Sequence, residues 1–332
     1  FIQALGNGFD GFNAEQSGAA LGALMESPGR MMVSQSVFLG LAALTVAAGI
    51  RGGLERVLRW LTPALFLILF LLLIYAMIAG DFAAGARFLF LPDFSRLSGQ
   101  TVLLAVGQAF FSLGIGLGVL FTIGAYMDQE SSILRASIVV AVADGGVALL
   151  AGLAIFPIVF AHGLSPAEGP GLIFATLPIA FGQMPAGTVL GPMFFLLMAI
   201  AALTSAITIL ETVVATVLDY CDLSRGKVVL VVSLLLWLAG LGTVFSFSDL
   251  SEFYPLSFIP AFETRTIFSS LDYLVSNFMM PLGGVLVAVL AGWGLSREAS
   301  RSELALQNRH VYSLWRLLVR YVVPVAIALV FV

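Results

Sequence analysis

The sequence predicts an all-α polytopic membrane protein, and three observations carry that prediction. Hydrophobic residues make up 60% of the 332 and charged residues only 10%. The mean hydropathy is +1.06. The apolar residues gather into stretches long enough to cross about 30 Å of hydrocarbon, which takes roughly 20 helical residues. Lipid offers the backbone no hydrogen-bond partner, so a spanning segment either bonds within itself as a helix or closes into a barrel. The ten-residue alternation of barrel strands is absent, which leaves helices.

Eight spans follow in order, at about 33–50, 60–79, 102–127, 133–161, 190–218, 228–247, 267–294 and 314–332, and they form a single transmembrane domain over 1–332. Eleven of the fifteen Lys and Arg residues, among them Arg51, Arg56, Arg225, Arg309 and Arg316, fall in or beside alternate loops, whereas Arg30, Arg87, Arg96 and Arg265 fall on the other side. Basic residues are retained on the cytoplasmic face. Residues 1–32 are therefore read as the tail of an earlier helix and an extracellular loop, and the protein as multi-pass in the plasma (inner) membrane. The opening lacks the basic and apolar regions of a leader peptide, and Phe1 is not an initiator methionine, so further spans are expected upstream. The outer connection 162–189 holds no Lys or Arg but contains GLIFATLPIAFG, a run too short to cross. A lid-like segment that dips back and a hairpin lying on the helix ends are both open readings.

Several functions are excluded by composition. A net charge of -4 with no long basic run gives nothing to follow a phosphate backbone, so nucleic acid is not an expected partner. The one cysteine, Cys221, rules out an internal disulfide framework and reads as a small buried apolar residue. His162 and His310 stand at predicted membrane edges and read as loop or interfacial residues. A nucleophile triad, a metal cluster and a phosphate-binding loop are all missing, and Asp144 with Glu211 is the sole pair an intramembrane enzyme could use. The expectation is that the protein is not an enzyme.

What remains is a set of polar groups at membrane depth: Gln108 and Ser112, Asp144, then Thr204, Ser205, Thr208 and Glu211, and Asp272 at an outer end. An ionised carboxylate in hydrocarbon costs at least about 2.5 kcal/mol, so Asp144 and Glu211 must face a wet cavity, a partner or an ion. Serine and threonine have a plainer alternative, since their hydroxyls bond back to the preceding turn or join helices. The third span carries GQAFFSLGIGLG at 107–118, with a further glycine at Gly124. Clustered glycines permit left-handed and extended backbone, and backbone can leave the helix at membrane depth only where it lines a cavity. A break there frees carbonyls for a small hard cation such as Na+, and the amino end of the second half-helix for a carboxylate. Close packing of small residues against another helix is the alternative.

Four stretches, GQAFFSLGIGLGVLFTIGAY, ADGGVALLAGLAIFP, AALTSAITILE and LDYLVSNFMMPLGG, resemble in order the sodium-dependent amino-acid and neurotransmitter symporter family, in its bacterial branch. The resemblance implies an inverted-repeat transporter fold with discontinuous helices, of which these eight spans look like helices four to eleven, the first three being absent. It implies a secondary active transporter that moves a small zwitterionic amino acid with Na+ by alternating access. A channel, or an intramembrane enzyme, stands as the alternative.

By the same resemblance, Phe111 covers the substrate and Ser112 offers oxygen to a first sodium ion, with Gly114 and Leu117 bordering the substrate side chain. Asp144 falls where many members carry an asparagine that binds this ion; an acid there implies that chloride is not needed. Gln108 belongs to the neighbouring polar shell. Ala201 through its carbonyl, with Thr204 and Ser205, forms one side of a second sodium site, and i, i+3, i+4 spacing puts these three on one helix face without appeal to the family. Ser205 and Ile209 line the substrate pocket. Asp272 resembles part of the outer gate, Asp219 and Tyr126 parts of the inner gate, and Gly53 with Pro63 a spacing associated with inward opening. Asp219 and Tyr126 as interfacial residues, and Pro63 as a first-turn proline, are equally open. Gly114 with Phe111, Leu117 and Ile209 leaves room for a hydrophobic or aromatic substrate side chain. A homodimer is left open; the bilayer and the amino acid are the expected partners.

Overall fold

A computed structural model of the chain describes residues 5, 9, 13–128, 131–166, 172–306 and 308–330. Among these the helices are α1 (Ala14–Met25), α2 (Pro28–Ala47), α3 (Ile50–Ala79), α4 (Phe82–Phe90), α5 (Gly99–Ser112), α6 (Val119–Ala125), α7 (Ile133–Ala161), α8 (Leu172–Gln183), α9 (Gly187–Tyr220), α10 (Arg225–Phe245), α11 (Ile267–Gly294), α12 (Arg297–Glu303) and α13 (Arg309–Leu329). Seven of them, α2, α3, α7, α9, α10, α11 and α13, are long and apolar enough to cross a membrane. The eighth expected span is the glycine-rich one, which is divided into α5 and α6.

The chain forms two compact units, Phe1–Pro92 with Val147–Pro255, and Asp93–Gly146 with Leu256–Val332. In the first unit, α2 packs on α9 and α10, and α3 runs along α9. Ala42 and Val46 of α2 meet Ile207, Leu210 and Val214 of α9 and Val228, Val229 and Val232 of α10. Apart from the adjacent Val228 and Val229, these sets recur at three- and four-residue intervals, so each helix presents one continuous face. A second core joins Leu69 and Leu72 of α3, Ala154 and Ile158 of α7, Leu177 and Phe181 of α8, and Phe194 and Leu197 of α9.

Two stretches read as loops carry helix. Within 1–32, α1 opens on a capping box: the Asn13 side chain accepts from the Gln16 amide at 2.8 Å, and the Gln16 side chain accepts from the Asn13 amide at 3.1 Å. The next helix already begins at Pro28. Residues 1–4, 6–8 and 10–12 of that expected loop lie outside the described residues, as do 167–171 of the expected lid. The rest of the lid's apolar run is α8, whose Leu177, Ala180 and Phe181 are buried in the core, and whose Ala175 carbonyl accepts from Ser17 Oγ at 2.7 Å. Pro63 lies inside α3, well past its first turn, and Gly53 is buried in the wide turn that starts α3. Cys221 is exposed, contrary to the buried role expected of it, because it follows the last residue of α9 in a short connection.

In the second unit, α11 and α13 pack together and α13 contacts α5. Phe110, Met280 and Ile327 form its small core. Gly116 and Gly283 set backbone against backbone here: a Cβ at Gly116 would overlap the Met280 carbonyl oxygen, and one at Gly283 would overlap that of Gly116. Gly116 also has φ +95°. We expect Gly116→Ala in the full-length protein to cost at least about 2 kcal/mol, through a left-handed penalty of roughly 1–2 kcal/mol added to the overlap. Gly124→Ala, with open space at its Cβ, should be neutral. Thermal unfolding in detergent reads both, and equal midpoints for the two variants would refute the account.

Candidate functional site

The break is built by three glycines. Gly114, Gly116 and Gly118 have φ of +63°, +95° and +78°, all in the left-handed region that L side chains resist. α5 therefore ends at Ser112, and α6 restarts from Gly118, whose carbonyl accepts from Phe121 at 3.1 Å and Thr122 at 3.3 Å. Between them the amides fold back locally, Gly114 onto Phe111 at 3.0 Å, Ile115 onto Phe110 at 3.2 Å and Leu117 onto Gly114 at 3.3 Å. Among the described residues, the carbonyls of Ser112, Leu113 and Ile115 receive no backbone amide. Both readings of the glycines thus hold in part: the helix is interrupted, and Gly116 additionally permits the close approach to α11.

Ser112, the last residue of α5, donates its hydroxyl to Asp144 Oδ1 of α7 at 2.7 Å. Asp144 is half-buried. Its carboxylate is thus tied to the edge of the break, and the serine oxygen keeps its lone pairs for another partner. Gln108 and Phe111 lie on the last turns of α5, Gly114 and Leu117 in the break, Tyr126 at the end of α6, and Asp272 on α11. Phe111 is 57% exposed and Leu117 37%. A cavity of about 480 Å³ in this unit is lined by Gln100, Gln108, Phe111, Ser276 and Asn277 together with apolar residues of α5, α11 and α13.

In the other unit, α9 gathers Ala201, Thr204 and Ser205. Thr204 Oγ1 donates to the Ala201 carbonyl at 2.9 Å and Ser205 Oγ to the same oxygen at 3.1 Å. Thr208 and Thr212 continue the pattern, bonding back to Thr204 and Thr208 at 2.8 and 3.0 Å. This is the ordinary back-bonding of helical hydroxyls. It also brings three oxygens into one patch. Ile209 and Asp219, further along α9, are exposed.

Glu211 has a partner that sequence reading missed. It is 2% exposed, on the face of α9 shared with Ile207, Leu210 and Val214, and is ion-paired with Arg225 at the start of α10. Arg225 Nε also donates to the Val46 carbonyl at 2.8 Å, in the last turn of α2. One guanidinium therefore neutralises a buried acid and satisfies a helix-end carbonyl. The connection between α9 and α10 is four residues long, and the Arg225 side chain beyond it reaches back to Glu211. Of the two intramembrane acids, Asp144 bonds to Ser112 in the second unit and Glu211 to Arg225 in the first.

Removing one member of a buried pair costs about 3–5 kcal/mol. Arg225 is 25% exposed, so the low end applies to Glu211→Gln. Arg225→Met should be the more damaging, because it strands the buried carboxylate. The double variant should recover about 1 kcal/mol or more over Arg225→Met; thermal melts that are simply additive would show that the pair is energetically idle.

Comparison with known proteins gives the same frame. The family model described as "Sodium:neurotransmitter symporter family" matches residues 16–332. An uncharacterized sodium-dependent transporter of Bacillus subtilis, YhdH, is 34% identical over 99% of this chain and 72% of its own length. A sodium-dependent transporter of Haemophilus influenzae is 30% identical over 92% of this chain and 66% of its own length. The crystal structure of MhsT in complex with L-phenylalanine superposes with a TM-score of 0.86 at 35% identity, over 99% of this chain and 74% of that one.

Proposed function

This chain belongs to the sodium:neurotransmitter symporter family, and we propose that it forms most of a secondary active transporter coupling inward Na+ movement to uptake of a small zwitterionic amino acid. The observation that supports this reading best is the interrupted span with Ser112 bonded to Asp144 at its edge. There the carboxylate, the serine oxygen and unpaired peptide carbonyls form an all-oxygen donor set, which suits a hard alkali cation. The fixed negative charge of Asp144 removes any need for chloride. Ala201, Thr204 and Ser205 supply one side of a second Na+ site.

Phe111, Gly114, Leu117, Ser205 and Ile209 border the amino acid, and the missing side chain at Gly114 leaves space for a large apolar group. The phenylalanine bound to MhsT supports that choice. Gln108 belongs to the polar shell, Asp272 to an outer gate, and Tyr126 and Asp219 to an inner gate, with α8 forming part of an outer lid in an inverted-repeat fold. There is no chemical step. The ions raise substrate affinity and hold the outward-facing state, so substrate and Na+ must strengthen each other's binding.

The test is uptake of radiolabelled phenylalanine into proteoliposomes of the full-length protein. Replacing Na+ by choline should reduce uptake at least about tenfold, while replacing chloride by gluconate leaves it unchanged. Uptake that persists in choline ends the coupling claim. Leucine, tyrosine and tryptophan should compete better than glycine or alanine, and a clear preference for glycine would refute the assigned pocket.

A further inference from the structure

The connection from α11 to α13 builds a second cavity, apart from the residues assigned above to solute and ions. A cavity of about 460 Å³ lies within the second unit, and five arginines, Arg297, Arg301, Arg309, Arg316 and Arg320, line it against a single carboxylate, Glu298. Its floor is fixed. Arg316 is only 9% exposed; its Nη1 donates to the Tyr312 hydroxyl at 2.6 Å and its Nη2 to the Leu295 carbonyl at 3.3 Å. Tyr312 and Ser300 are hydrogen-bonded at 2.8 Å. At one wall, Arg320 Nε donates to the Gly292 carbonyl at 2.5 Å, and its guanidinium stands 5.4 Å from the Trp293 ring.

One atom of this arrangement has no partner. Arg316 Nε is buried and donates to no acceptor among the described residues, although a buried charged donor left unmatched is costly. Converging guanidiniums with an unmatched buried N–H call for an oxyanion, and arginine is suited to phosphate because its fork binds two oxygens at once. Lipid is favoured as the source. α13 is a candidate membrane span, Leu314 and Leu317 on it are 58% and 52% exposed, and Trp293 and Tyr321 stack edge-on at 5.8 Å. Such aromatic residues mark the headgroup level of a bilayer. The basic residues here fall on the side read as cytoplasmic, where anionic lipid headgroups meet basic pockets between helices.

We infer that this cavity binds the phosphate headgroup of an anionic phospholipid in the cytoplasmic leaflet. Binding is a property of the protein independent of which solute it carries. Native mass spectrometry of the full-length protein in a neutral detergent tests it, with phosphatidylglycerol and phosphatidylcholine as probes. Phosphatidylglycerol should bind saturably and phosphatidylcholine should not. Arg297→Gln with Arg309→Gln should weaken phosphatidylglycerol binding at least about tenfold, and Arg309→Gln alone about threefold. Arg51→Gln with Arg56→Gln, which removes the same charge from another basic stretch, should change it less than about twofold. Melting midpoints without lipid confirm that the variants are folded. Equal losses in both double variants would reduce the site to general surface attraction and overturn the proposal. So would equal binding of the two lipids, or displacement by soluble glycerol phosphate at the same concentration as phosphatidylglycerol, which would make a free phosphate the ligand.

Discussion

The constraint on which this structure depends is that a peptide group at membrane depth must find a hydrogen-bond partner or line a cavity. Six residues, Leu113 to Gly118, depart from the helical ladder between α5 and α6. The departure is permitted sterically by three left-handed glycines and is braced from outside by the glycine contact with α11. A hydroxyl and a carboxylate then meet at its edge. Under the proposed function, fold and function are joined at this point, because the groups that make the backbone difficult to place in lipid are the ones assigned to the ion and the zwitterion.

The two intramembrane acids show how the same cost is met in different ways. Glu211 is neutralised by Arg225 within a packed face of the first unit, and so contributes to holding α2, α9 and α10 together. Asp144 has a neutral partner, the Ser112 hydroxyl, and stays half-buried. A carboxylate held only by a neutral donor keeps its charge available to a cation. Membrane depth alone did not separate these roles; the partner did.

Much of this was legible in the sequence because hydropathy and glycine placement act locally. The spans, the interruption at 107–118 and the common face of Ala201, Thr204 and Ser205 all follow from residue spacing. Arg225 was read only as a marker of orientation, since its pairing depends on where a tight connection returns the chain. The helix Ala14–Met25 was overlooked although Asn13 and Gln16 carry a capping-box spacing; the small and polar residues around it masked that signal. The role of Pro63 was obscured because α3 begins earlier than its hydropathy indicated, in a wide turn at Ile50. The arginine cavity was visible only as a basic stretch, because its shape comes from α12 folding between α11 and α13.

The most direct test of the central claim is equilibrium binding of radiolabelled Na+ to the full-length protein in detergent, with saturating amino acid, for the native chain and for Asp144→Ala. The account predicts that the substitution removes one of two bound ions while the melting midpoint is retained. An unchanged Na+ stoichiometry and affinity in the folded Asp144→Ala protein would contradict it.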